Sequence, residues 1–364
     1  MKKIAFLISD LGCGGAQRVL INVLNNIDLN QFKVIVVTLY DESTDFFKLP
    51  GNVERIIIGY TKQEKNIFKS VYLNFKRISG IRKTLILNDV NYAMSFIGAM
   101  NILLVLATIK LKLKTIISER NDPNKQSIGF PWDAFRKITY PYADVVTANS
   151  HGALKTLSRY VPEEKLLYLP NPFPVVNAHT LSRKSDSEGV IRLLAVGRLY
   201  PQKNYKILLK ALSECVHKSR LKYRLTILGD GPLYNELNDW CIELGINEIV
   251  LWKKSVVDTE KYYLDSDLYL LPSSHEGMPN SLLEAMAYGI AVIISDASEG
   301  PLELVENNVT GVVVRVDSSE ELAEKIMFLS DDKEERKKLA FNAKRFIDEN
   351  STCKVMNVWE NLFN

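Results

Sequence analysis

The chain has 364 residues, 24% of them charged and 46% hydrophobic, with a formal net charge of +3. That length predicts two domains, and the composition is that of a soluble globular protein. Four scattered cysteines, Cys13, Cys215, Cys241 and Cys353, lack CxxC spacing, which argues against a zinc site or a disulfide framework and fits a reducing compartment. No apolar run reaches the length of a membrane span, Ile102–Ile109 being far too short, and the first residues lack the apolar segment and cleavage site of a signal peptide. The expected location is therefore cytoplasmic.

The small net charge hides an asymmetry. Residues 1–175 carry a net charge of +9 and the remainder −6. An anionic partner is expected on the front half only. No nucleic-acid recognition motif accompanies the basic residues, so nucleic acid is not the expected partner.

In chain order, Lys3–Ser9 is an apolar run without alternation, the pattern of a strand buried on both faces. A glycine turn with Gly14 and Gly15 follows, then a helical pattern over Ala16–Asn26. Further strands are predicted at Phe32–Leu39, Arg55–Ile58, Tyr92–Ser95, Thr115–Ser118 and Asp144–Ala148, with helical segments between most of them. The alternation predicts a parallel sheet covered by helices. It breaks at Leu169-Pro170-Asn171-Pro172-Phe173-Pro174 and in the polar stretch Thr180–Gly189, as a linker would. It then restarts, with strands at Ile191–Val196, Tyr223–Leu228, Ile249–Trp252, Leu268–Leu271 and Val292–Ser295. Helices are predicted at Tyr205–Val216, Tyr234–Leu244, Ser281–Tyr288, Ser319–Leu329 and about Glu334–Phe363. The expected domains are 1–173, a linker at 174–190, 191–345, and a final helix at 346–364 that returns to the first domain. Two Rossmann-like halves would face a cleft, with ligands beyond the carboxyl ends of the strands.

The segment Ser273–Gly289 carries the strongest chemical signal. It follows a buried strand and opens a helix, whose first N–H groups and positive dipole end suit a diphosphate. Gly277 permits close backbone approach, and Glu276 is suited to accept hydrogen bonds from sugar hydroxyls. Ser281-x-x-Glu284 reads equally as a capping box, with Glu284 only closing the helix start. His275 reads as an ordinary loop residue. After the strand Ile191–Val196, Arg198 and Lys203 stand five apart on one loop and can converge on a diphosphate, stabilising a departing nucleotide. As a surface lysine, Lys203 is expected to tolerate replacement by alanine without harm to the fold.

These segments resemble the large retaining glycosyltransferase family 4, whose members have the GT-B fold. The Glu276–Glu284 pair is similar to that family's E-x7-E signature, and SEGPLELVENNVTGVVV after it has the family's wording. The resemblance implies that Glu276 lies by the donor sugar and Glu284 bonds the ribose. It implies that the backbone of Gly277, Met278, Pro279, Asn280, Ser281 and Leu282 holds the diphosphate. Gly197-Arg198-Leu199 with Lys203-Asn204 resembles the family's diphosphate element. Gly229-Asp230-Gly231-Pro232 resembles its G-x-G-P turn near the nucleotide, which a plain turn explains equally well. The next strand runs on to Lys253 where the family commonly has glycine, so the base contact expected near Ser255 departs from the pattern. In the front half, Gly14-Gly15-Ala16-Gln17-Arg18 resembles the GGAQR element that faces the donor diphosphate. Gln17 stands where a dinucleotide fingerprint would need its third glycine. Ser118-Glu119-Arg120 matches a segment where many relatives have His after Ser-Glu. Arg120 there suits an anionic acceptor or the leaving diphosphate.

The resemblance implies a retaining transfer of a hexose or N-acetylhexosamine from a UDP-linked donor to a glycan acceptor, as in family members that extend polyprenyl-diphosphate-linked glycans. It implies front-face attack with no cofactor and no metal, the cations being built into the protein. A nucleotide-sugar epimerase of the same fold and a non-catalytic partner subunit are the alternatives. Between Thr61 and Lys83 stand Lys62, Lys65, Lys69, Lys76, Arg77, Arg82 and Lys83 against Glu64 alone, with apolar residues near helical spacing at Phe68, Val71, Tyr72, Phe75, Ile78 and Ile81. A basic amphipathic helix of this kind can rest on an anionic membrane, so peripheral association with the inner face of the cell membrane is expected. An ordinary core-facing helix is the other reading. The donor sugar, the linkage and the oligomeric state are not fixed by these patterns.

Overall fold

A computed structural model describes residues 1–59, 67–174, 176 and 189–364. The chain divides into two compact units, Met1–Pro172 with Cys353–Asn364, and Phe173–Thr352. Most of the expected linker at 174–190, and Lys62, Glu64 and Lys65 of the basic segment, lie outside the described residues.

The first unit is built on seven parallel strands: β1 (Lys2–Ile8), β2 (Phe32–Thr38), β3 (Glu54–Ile57), β4 (Tyr92–Phe96), β5 (Lys114–Glu119), β6 (Val145–Ala148) and β7 (Leu166–Tyr168), in the order β3-β2-β1-β4-β5-β6-β7. The central strands are buried on both faces, with Ile4 through Leu7 fully inside, which is why they read as unbroken apolar runs. Helices α1 (Gly15–Asn26), α2 (Ile67–Leu87), α3 (Gly98–Thr108), α4 (Trp132–Thr139) and α5 (His151–Leu157) connect them. Helix α3 packs against both α2 and α4.

The second unit has six parallel strands: β8 (Val190–Val196), β9 (Lys222–Leu228), β10 (Val250–Lys253), β11 (Leu268–Leu271), β12 (Ala291–Ser295) and β13 (Val312–Val314), ordered β10-β9-β8-β11-β12-β13. Its helices are α6 (Tyr205–Lys218), α7 (Tyr234–Glu243), α8 (Glu260–Leu264), α9 (Asn280–Ala287), α10 (Glu299–Leu302), α11 (Ser319–Asp331) and α12 (Lys333–Glu349). In each sheet the order reverses beside the first strand, at β1/β4 and at β8/β11. Loops leaving the two strands at such a reversal diverge and leave a binding crevice at their carboxyl ends.

The helix expected over Glu334–Phe363 is two helices. Helix α12 ends with its C-cap at Asn350, and α13 (Thr352–Asn361) groups with the first unit. The reason is aromatic burial. Trp359 and Phe363 are fully buried, Trp359 donates its indole N–H to Pro170 O at 2.9 Å, and the Phe363 ring meets Phe6, Phe32 and Tyr92 edge-on. Among the described residues no helix is long and apolar enough to cross a membrane.

Candidate functional site

The geometry gathers at the β8/β11 reversal of the second unit. After β8 the chain makes the loop Gly197–Asn204, and backbone bonds stitch it to its neighbours on one side. Gly197 N donates to Leu228 O, and Leu199 N to Asp230 O, at 3.0 and 2.9 Å. A Cβ on Gly229 would strike Gly197 O, and one on Gly231 would strike Leu199 O. The Gly229–Gly231 turn is therefore a close-approach support for the Arg198 loop rather than a plain turn. The Asp230 carboxylate also accepts from Ser255 N at 2.8 Å. The Ser255 amide is thus spent within the protein.

On the other side the same loop is bound to the segment after β11. Ser274 N and the Gln202 side-chain amide bond across, to Gln202 O and His275 O, each at 2.8 Å. Lys203 Nζ donates to Glu276 Oε1 at 2.6 Å, with side chains only 15% and 10% exposed. This overturns the picture of Lys203 as a loose surface residue, since it is packed against Gly197 and ion-paired. Arg198 is exposed, its guanidinium 5.1 Å from the Tyr200 ring centroid, and among the described residues it forms no ion pair. The buried Tyr205 hydroxyl donates to Gly197 O at 3.0 Å. Burial, and secondly the charge of Glu276, push that phenol above its ordinary range and keep it a neutral donor.

Helix α9 starts at Asn280 with Pro279 as its N-cap and no side-chain cap. The capping-box reading fails here, because it needs Ser281 as the N-cap and Glu284 three residues on, whereas the cap is Pro279 and the third helical residue is Leu282. Ser281 instead sits inside the helix, its Oγ accepting from Tyr269 OH at 2.7 Å and its carbonyl from Tyr263 OH at 3.2 Å. Glu284 is buried, 8% exposed, and Oε2 accepts from Thr259 Oγ1 at 3.2 Å. Leu282 N bonds Pro279 O. Of the expected amide donors at Gly277, Met278, Pro279, Asn280, Ser281 and Leu282, Pro279 and Leu282 therefore drop out. Ser298 Oγ takes the Glu276 N–H at 2.9 Å, and Gly300 lies so close that a Cβ there would collide with Gly277 O. Sequence patterns missed Gln202, Thr259, Ser298 and Gly300. Only the SEGP wording around the last two gave a signal.

In the first unit, Gly14 is the extended N-cap of α1, and Gly15 opens that helix. Asp10 closes the preceding loop, accepting from Gly12 N at 2.9 Å and from the Gln17 amide at 3.1 Å. Arg120 is not the open cation expected. It is 6% exposed, Nη1 donates to Leu169 O at 2.9 Å and Asn171 Oδ1 at 3.1 Å, and the guanidinium lies 4.8 Å from the Trp359 ring centroid. Burial pulls it down to about 9 against the opposing charge of Glu119. The 4.8 Å approach to Trp359 is a cation–π contact with a side chain of α13. Glu119 is buried beside Arg136 and accepts from Tyr140 OH. Burial raises its carboxyl, chiefly against the Arg136 charge.

In α2, Ile81 and Leu85 are buried and Ile78 packs on the core, while Val71, Tyr72 and Phe75 are exposed. The helix is thus core-facing along one stripe and apolar outside at its start; the Phe68 side chain is outside the described residues. Lys69, Lys76 and Lys83 are exposed. Arg77 and Arg82 turn inward, Arg77 to Asn74 Oδ1 and the Tyr40 ring, Arg82 to Ala107 O and Ile109 O.

Two Rossmann-like parallel sheets, each doubly wound, with a cation–carboxylate site at the reversal of the second, define a chain of the GT-B fold. Residues 179–346 match the family described as Glycosyl transferases group 1. Among curated proteins, the chain is 28% identical to a Campylobacter jejuni GalNAc-alpha-(1->4)-GalNAc-alpha-(1->3)-diNAcBac-PP-undecaprenol alpha-1,4-N-acetyl-D-galactosaminyltransferase, over 95% of this chain and 93% of the relative. It is 27% identical to a second protein of that organism, N-acetylgalactosamine-N,N'-diacetylbacillosaminyl-diphospho-undecaprenol 4-alpha-N-acetylgalactosaminyltransferase, over 94% of each chain. Among solved structures, Anabaena HepE in complex with UDP and glucose superposes with a TM-score of 0.78 at 19% identity, over 100% of this chain and 99% of that one.

Proposed function

We propose that the protein is a retaining glycosyltransferase that moves a hexose or N-acetylhexosamine from a UDP-linked donor to a polyprenyl-diphosphate-linked glycan. The observation that carries this reading is the Lys203–Glu276 pair, fixed across the β8/β11 reversal by bonds on both sides. The undecaprenol-linked acceptors in the names of the two relatives support the acceptor class.

The donor diphosphate is held by Arg198, Lys203 and the amides of Met278, Asn280 and Ser281. The sugar hydroxyls donate to Glu276 and the ribose hydroxyls to Glu284, which Thr259 orients. The incoming phosphate takes Lys203 from Glu276 and so frees that carboxylate for the sugar. In the transfer the bond from the anomeric carbon to the β-phosphate oxygen breaks. The acceptor oxygen bonds that carbon on the same face, and its proton passes to the departing phosphate. Fixed cations are worth most where charge develops on the leaving group.

A thermal-shift screen of nucleotides and nucleotide sugars, followed by transfer to a polyprenyl-diphosphate glycan, tests the proposal, because a ligand raises the melting point according to its affinity. Stabilisation by UDP and acceptor-dependent UDP release are expected. Donor turnover without acceptor points instead to an epimerase, and absence of any nucleotide effect to a non-catalytic subunit. Full activity is also expected in EDTA. Loss on chelation that magnesium or manganese restores would refute the metal-free account of the leaving group.

A lipid-borne acceptor calls for peripheral membrane contact, and we assign it to the exposed lysines of α2. Basic residues near an anionic surface contribute roughly 1 kcal/mol each. Replacing Lys69, Lys76 and Lys83 together by glutamine is expected to weaken binding to anionic vesicles and flatten its salt dependence. Unchanged vesicle binding would leave α2 as a core helix only.

A further inference from the structure

Helix α4 is turned inside out. Its buried side is spent on Arg136 and Thr139, while Phe135 and Ile138 stand 46% and 61% exposed. The same face continues beyond the helix to Tyr142, 72% exposed and four residues past Ile138. Before the helix, Phe130 is 93% exposed. Phe130 is not on a loose loop. The Asp133 carboxylate accepts from Ile128 N at 3.1 Å, Gly129 N at 3.2 Å and Ser127 Oγ. Trp132 packs on the core just behind. The segment therefore holds an apolar side chain out in a defined place.

We infer that Phe130, Phe135, Ile138 and Tyr142 form a hydrophobic wedge that enters the interfacial layer of a lipid membrane. The surrounding chemistry favours lipid over a second copy of the chain. Lys125 and Lys137, on the same stretch of chain, are exposed, while Asp133 is engaged by Ser127, the loop amides and Arg136. The Tyr142 ring with its polar tip and lysines with long stems suit the headgroup boundary. Helix α3 packs against both α4 and α2, and α2 carries exposed Val71, Tyr72, Phe75, Lys69 and Lys76. Both helices that pack on α3 thus expose basic and apolar groups, the composition that binds an anionic interface by insertion plus attraction.

The inference rests on the reading of a lipid-linked acceptor, but its test needs no sugar transfer. The variant F130S/F135S/I138S is compared with wild type on phosphatidylcholine–phosphatidylglycerol vesicles that hold no acceptor. At high salt, where the lysines are screened, the variant is expected to partition about tenfold less, since buried apolar area sets that part of the binding. The α2 lysine variant loses mainly the salt-sensitive part. F130W is expected to gain a blue-shifted fluorescence component, quenched by brominated lipid. Partitioning equal to wild type by the serine variant overturns the wedge. So does a wild-type dimer that the serine substitutions convert to monomer, because the face would then belong to a second copy. Absence of transfer by the wild-type protein, with its vesicle binding lowered by the serine substitutions as expected, would sink the proposed reaction and leave the wedge standing.

Discussion

Lys203→Ala is expected to lower turnover about a hundredfold or more at saturating donor and acceptor, the scale seen when a fixed charge is removed from a developing anion. It is also expected to destabilise the second unit, because Glu276, with its side chain 10% exposed, then keeps a largely buried charge without its partner. Removing one member of a buried pair costs about 3 kcal/mol at the low end of the measured range. For a unit of this size that lowers the melting temperature by roughly 6–12 °C. The double variant Lys203→Ala/Glu276→Gln separates the two effects. It should recover stability, since no lone carboxylate is left, and recover no activity. A Lys203→Ala protein that turns over like wild type would remove this lysine from the chemistry. One that melts like wild type would mean the ion pair contributes nothing to the fold.

The parts of this molecule that could be read from sequence are those written locally. β11 and the Ile4–Ile8 stretch of β1 are unbroken apolar runs because both faces of the sheet are covered, and Glu276 and Glu284 stand at a spacing that needs no tertiary knowledge. β7 and β13 were not legible, being three residues each and too short for a period to show. The break between α12 and α13 is set by burial of Trp359 and Phe363 against strands at the other end of the chain, which local periodicity does not record. Arg120 illustrates the same limit at a functional-looking position. Its motif context suggested an open cation, but its partners are Leu169, Asn171 and Trp359, distant in sequence. Thr259 was invisible for the same reason, and Ser298 was marked only by the SEGP wording around it. Each meets its glutamate across a loop, and nothing in an isolated Thr or Ser marks it as a support.

The two glutamates should fail differently. Glu276→Gln is expected to lower turnover by about two to three orders of magnitude, because a carboxylate beside the sugar acts most strongly as positive charge grows at the anomeric carbon. Bare UDP should bind this variant as well as it binds wild type, or somewhat more tightly. Lys203, released from its 2.6 Å pair, faces the phosphates with its charge uncompensated. Glu284→Gln should behave in the opposite way. A ribose diol offers two donors to a carboxylate, and glutamine presents one acceptor oxygen and an amide donor in their place. Loss of one charged hydrogen bond, about 1.5–3 kcal/mol, corresponds to roughly a ten- to hundredfold weaker affinity for both UDP and full donor. The rate at saturating donor should fall less. If Glu284 served only to accept from Thr259 Oγ1, the glutamine carbonyl would do as well, and Glu284→Gln would bind and turn over like wild type. Titrations of UDP against both variants, run beside steady-state rates, decide the matter. A silent Glu284→Gln removes the ribose assignment. A Glu276→Gln protein whose UDP affinity falls as far as its rate removes that carboxylate from the sugar and places it at the nucleotide instead.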